Sequence, residues 1–127
     1  MSGEDKATKF FGTNVDSLKA FESLKIYING ICPDVKISVQ DSLLAFRTAA
    51  GFAYVSLPGK NTERVLFNLV LTNRKKLASG RIDKVIQPIP GTHSYMYHIG
   101  IKSAEDIDSE IKSWIRQSYE YSKLRFI

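Results

Sequence analysis

The chain holds 127 residues, 43% of them apolar and 24% charged, with a formal net charge of +5. That length suits one domain with a real core, the composition is ordinary for a globular protein, and no apolar run approaches the ~20 residues of a membrane span. The polar opening Met1-Ser2-Gly3-Glu4-Asp5-Lys6 lacks the character of a secretory signal and Cys32 stands alone, which excludes an internal disulfide framework; a cytoplasmic location with no membrane partner is expected.

Residues 1–12 read as a flexible N-terminal tail and residues 13–127 as a single α+β domain. A first helix is expected to start near Thr13, Asn14 or Asp16, whose short side chains can accept from free backbone N–H groups. Leu18, Phe21, Leu24 and Ile28 then recur at helical spacing, Gly30 can take the left-handed conformation that ends a helix, and Pro33 blocks its resumption. Leu43–Thr48 and Phe52–Leu57 predict a hairpin around Ala49-Ala50-Gly51, broken after its second strand by Pro58-Gly59. Arg64–Thr72 is apolar enough on both faces for an inner strand, whereas Lys84–Ile89, with Pro88 inside and Pro90 after it, suits an edge. Tyr95–Ile101 alternates, with Tyr95, Tyr97, Ile99 and Ile101 on one face and Met96, His98 and Gly100 on the other. Ser103 is expected to cap a second helix reaching Glu120, with Asp106 in the capping-box position. Its apolar stripe is Ile107, Ile111, Trp114 and Ile115, with Ser118 near the middle of that face. This order predicts an α+β fold: an antiparallel sheet of four to five strands with an N-terminal and a C-terminal helix packed on one face.

The charge is unevenly placed. Between Lys60 and Lys84 stand seven basic residues (Lys60, Arg64, Arg74, Lys75, Lys76, Arg81, Lys84) against Glu63 and Asp83, which accounts for the whole net charge of +5. A basic segment on a neutral body points to a polyanion such as DNA or RNA, with Arg64, Arg74, Lys75, Lys76, Arg81 and Lys84 as the contacting side chains. A merely solvated loop would carry the same pattern.

Phe21 and Leu24, Pro33-Asp34-Val35, Ala45-Phe46-Arg47, Phe52-Ala53-Tyr54-Val55, the strand Val65–Leu71 and Ile115-Arg116-Gln117-Ser118-Tyr119-Glu120 follow one another in a telling order. In spacing and order this set resembles the bacterial domain-of-unknown-function family numbered fifty-six fifty-five, over about residues 15–122. The layout is similar, more distantly, to MmcQ/YjbR-type proteins, which share the hairpin, the inner strand and a last helix with Ser-Tyr-Glu, and are often labelled DNA-binding. The resemblance implies a bacterial domain found alone or fused to endonuclease-like or predicted transport-protein regions, and it brings no catalytic residue. The chain departs from the family at Pro88–Ser94, where a glycine-richer turn with a tryptophan is expected.

Candidate chemistry finds little support in the residues. Cys32 follows a helix carboxyl end, where negative partial charge disfavours a thiolate, so a small packed thiol is expected. His93 and His98 are five apart and fall on opposite strand faces, which argues against a shared metal. Glu105, Asp106, Asp108 and Glu110 suit a helix N-terminus, and Ser118 lacks a nucleophile elbow; its hydroxyl is expected to bond the Trp114 carbonyl one turn back. No enzyme, metal or cofactor is therefore expected. With the helices on one face of the sheet, Arg47, Tyr54, Asn68, Met96 and His98 should point away from them. The lead expectation is a non-catalytic nucleic-acid-binding domain that uses the basic segment. The alternative is a small-ligand or protein-interaction module using Arg47, Tyr54, Asn68 and His98, and a homodimer through that open face also fits.

Overall fold

The computed structural model describes residue 11 and residues 15–40, 43–48, 51–57, 65–73, 79–86 and 95–124. Helix α1 spans Val15–Ile31 and buries Ser17, Ala20, Phe21, Leu24 and Ile28 along one stripe. Gly30, expected to end it in a left-handed turn, stays helical. The Cys32 N–H still donates to the Ile28 carbonyl at 2.8 Å, and the helix stops where Pro33 has no N–H to offer.

Six strands follow: β1 Lys36–Gln40, β2 Leu43–Arg47, β3 Gly51–Ser56, β4 Phe67–Asn73, β5 Lys84–Ile86 and β6 Tyr95–Ile101. They form one antiparallel sheet in the order β1-β2-β3-β4-β6-β5. The sheet therefore has six strands rather than four to five, because Lys36–Gln40 pairs with the hairpin and half-buries Ile37 and Val39 against the core. β4 is an inner strand and β5 an edge, as their compositions predict, although β5 is only 3 residues long. The register slips between Phe46 and Arg47, setting Arg47 opposite Gly51. This bulge lets Phe52 and Ala53 both be fully buried. A side chain at Gly51 would meet the Tyr54 phenol, which would have to swing aside.

The second helix begins later than its sequence suggests. Ser103 precedes only a 3-10 turn, Ala104–Asp106, and makes no side-chain cap bond. The α-helix proper, α2, is Ser109–Leu124, and its cap is Asp108, whose Oδ1 accepts from the Ile111 N–H at 3.1 Å. The two caps are five residues apart because Ile107 turns inward between them and is buried.

Both helices cover one face of the sheet. Phe21, Leu24 and Ile28 of α1, with Ile111 and Ile115 of α2, meet Leu44, Phe46, Val55, Leu69 and Ile99. Each such side chain contributes about 1.5–3 kcal/mol by leaving water. The Phe21 and Phe46 rings stack at 5.7 Å between centroids. Val65 is half-buried on the opposite face, where its methyls lie against Gly100. None of the described helices is long and apolar enough to cross a membrane.

Ser118 faces the sheet, but its hydroxyl does not turn back to the Trp114 carbonyl. It donates to the Phe52 carbonyl of β3. A hydroxyl has one proton, so Ser118 Oγ accepts the other two bonds, from the Thr72 N–H at 2.9 Å and from Thr72 Oγ1 at 3.1 Å. The β3–β4 ladder ends at Ala53 opposite Leu71, and the helix hydroxyl bridges the next two backbone groups.

Candidate binding cleft

The side of the sheet away from the helices is built by strand alternation. Ala45, Tyr54, Val70, His98 and Lys84 lie opposite one another across β2, β3, β4, β6 and β5. Asn68 faces Gly100 in a neighbouring row. This face is not bare, since Ala45 and Val70 are both buried.

A cleft of about 650 Å³ opens at the end of this face where β4, β6 and β5 meet. Asn68 comes from β4, His98 and Gly100 from β6, and Lys84 from β5. Lys102 and Asp106 close one side just beyond β6. The turn before β5 supplies Gly80, Arg81 and Asp83, and is held by the Ile82 N–H on the Ser79 carbonyl at 3.2 Å. Sequence reasoning missed Asp83, Lys102 and Asp106. Lys102 was legible, because it continues the outward series Met96, His98, Gly100 by one more step of two.

Arg81 is engaged within the chain: Nη1 reaches both Asp108 oxygens at 2.9 Å and Glu110 at 3.1 Å, and Nη2 reaches the Asp106 carbonyl at 2.8 Å. The bond from Arg81, aided by the Ile111 N–H, holds the Asp108 carboxyl below its ordinary range, and Asp108 in turn raises the guanidinium. The two other carboxylates are held by backbone amides. Asp83 Oδ2 accepts from the Gly100 N–H and Asp106 Oδ2 from the Lys102 N–H, each at 2.8 Å. Lys84 and Lys102 take part in none of the ion pairs among the described residues.

His98 is the unusual member. Its Nε2 is buried and has no hydrogen-bond partner among the described residues. Burial, and then the charge of Lys84, push its pKa below the ordinary value, with Asp83 opposing. Burial thus favours the neutral imidazole, whose Nε2 has no partner among the described residues.

The structure thus divides the side chains singled out from sequence. Asn68 and His98, from the open-face set, and Arg81 and Lys84, from the basic set, line one cleft. Tyr54 is half-buried and two strands from His98, about 10 Å away. Arg47 is exposed one strand further on, and neither it nor Tyr54 lines the cleft. Arg64, Arg74, Lys75 and Lys76 lie outside the described residues, as do His93 and the Pro88–Ser94 turn. Cys32 is a buried thiol, and its proximity raises the Tyr119 phenol above its ordinary pKa. Among the described residues no group of three His, Cys, Asp or Glu side chains could hold a metal ion.

A family model described as Domain of unknown function (DUF5655) matches residues 7–122. No curated protein and no solved structure matches the chain.

Proposed function

The chain belongs to that family of unknown function, and we propose that it is a non-catalytic cytoplasmic binding domain whose partner is nucleic acid. The observation that carries this reading is the meeting of two sets of side chains. Arg81 and Lys84 close the basic segment, and they line the same cleft as the base-reading types Asn68 and His98. The described residues carry ten basic and nine acidic side chains. Four of the five net charges therefore lie outside them, and cations of the segment 60–76 adjoin in sequence both ends of β4. Strand geometry separates those ends by about 20 Å. An extended polyanion could engage both ends, whereas a compact anion could not.

With Arg81 committed to Asp108 and Glu110, phosphate contacts fall to Lys84, Lys102 and the cations between Lys60 and Lys76. Four or five neutralised phosphates would give a log–log salt slope of roughly −4 on duplex DNA and nearer −3 on single strands. Fluorescence anisotropy with labelled oligonucleotides at two salt concentrations measures it. Changing Arg74, Lys75 and Lys76 together to Glu should remove most of the slope. No binding at low salt would refute the reading and favour a small ligand, for which a cleft of about 650 Å³ is also of suitable size.

A further inference from the structure

The cleft's own chemistry narrows what can occupy it. Asp83 and Asp106 repel a bare anion. Each nonetheless has one oxygen fixed by a backbone amide, and a carboxylate so held has further acceptor sites for ligand O–H or N–H groups. Lys84 and Lys102 have no carboxylate partner among the described residues and call for a negative group on the same ligand. Asn68 offers a donor and an acceptor, and the buried Nε2 of His98 needs a hydrogen bond that the described protein atoms do not supply. Val65 is the one apolar side chain larger than glycine in the lining, so an apolar ligand would gain little.

A fitting ligand therefore combines an anionic group, hydroxyl donors and a heteroatom edge. We propose that the cleft between β4, β6 and β5 is a subsite for a single unstacked nucleotide. Its phosphate meets Lys84 and Lys102, its sugar hydroxyls meet Asp83 and Asp106, and its base edge meets Asn68 and His98. A sugar phosphate would satisfy the lysines and carboxylates but leave Asn68 and His98 unused, and a nucleoside would leave the lysines unused. A base paired within a duplex cannot enter, so the subsite favours single strands. Gly100 belongs to the same design. A Cβ there would stand 3.0 Å from Asp83 Oδ2 and 3.3 Å from Val65, so both side chains would have to give by a few tenths of an ångström.

This inference rests on the nucleic-acid reading, and one titration series separates the two. Amide spectra of the labelled protein are followed during addition of the four ribonucleoside 5′-monophosphates, ribose 5-phosphate, adenosine, and single- and double-stranded oligonucleotides. At least one monophosphate should shift the Asn68, Gly100 and Lys102 amides saturably, about tenfold more tightly than ribose 5-phosphate or adenosine. Lys84→Glu, an exposed change on an edge strand, should weaken that monophosphate and the single strand by about tenfold or more. Asn68→Ala should weaken the monophosphate but not ribose 5-phosphate. If single strands bind while no monophosphate moves these amides, the subsite is overturned and the nucleic-acid reading stands. If a monophosphate binds and no oligonucleotide does, the nucleic-acid reading falls and the cleft remains a nucleotide site. Ribose 5-phosphate binding as tightly as every monophosphate would overturn the base-edge assignment.

Discussion

Replacing Ser118 with Ala tests how the second helix is fastened to the sheet. In wild type the hydroxyl is 0% exposed and joins the Phe52 carbonyl to the Thr72 N–H, residues 66 and 46 positions away. Alanine leaves one buried acceptor and one buried donor unmatched, at about 1–3 kcal/mol each. Direct re-pairing of β3 with β4 would recover part of this, and alanine's better helix propensity returns up to about 0.5 kcal/mol. The expected net loss is about 2–4 kcal/mol. Urea unfolding followed by the fluorescence of Trp114, the one tryptophan of the chain, measures it. With a slope of about 1–3 kcal/mol per molar, the midpoint should fall by about 1–2 M. A hydroxyl bonded to its own helix, the arrangement expected from sequence, would make the same change neutral or slightly stabilising. A midpoint within about 0.3 M of the parent would therefore refute the cross-sheet role.

Trp114→Ala should cost about 3–5 kcal/mol, because the largest side chain of the α2 stripe is 8% exposed; an unchanged denaturant midpoint, read by circular dichroism, would mean that this stripe does not pack. Stability should also fall with acid in two windows. The folded His98 takes up its proton at a pH below the ordinary 6.5, so its contribution is complete above that value and is lost as pH falls through the lowered one. Asp108, lowered by Arg81, acts in the same direction from 3.8 downward. Thermal unfolding at pH 7 and 5 should show a drop for wild type that His98→Gln lessens. An equal drop in both would remove His98 as its source.

Much of the fold was legible because its signals are local. The α1 stripe and the strict alternation of Tyr95–Ile101 are each set within one element. β1 was missed although Ile37 and Val39 alternate, since five residues with two apolar side chains look no different from a loop until a partner strand is present. The cap of α2 was misplaced for a related reason. Ser103-Ala104-Glu105-Asp106 satisfies a capping pattern locally. Asp108 is the cap instead, and its carboxylate is also held by Arg81, 27 residues earlier in the chain, a contact no local pattern reveals. Ser118 shows the same limit, as both of its backbone partners lie on other elements.

Charge counting meets this limit most sharply at the site itself. In sequence Arg81 is one of seven equivalent cations between Lys60 and Lys84. In the fold its guanidinium lies between Asp108 and Glu110 and on the Asp106 carbonyl, tying the turn before β5 to the start of α2. A planar fork with several donors can satisfy that set at once, where a lysine could not. Lys84, three residues on, faces His98 across the strand pair and is in no ion pair among the described residues. Cations three residues apart in sequence thus do different work. Arg81 fastens one wall of the cleft, and Lys84 brings to its lining a positive charge with no ion-pair partner among the described residues. Neutralising Lys84 should therefore weaken binding and ease the acid sensitivity set by His98, whereas neutralising Arg81 should loosen the wall and the α2 cap together.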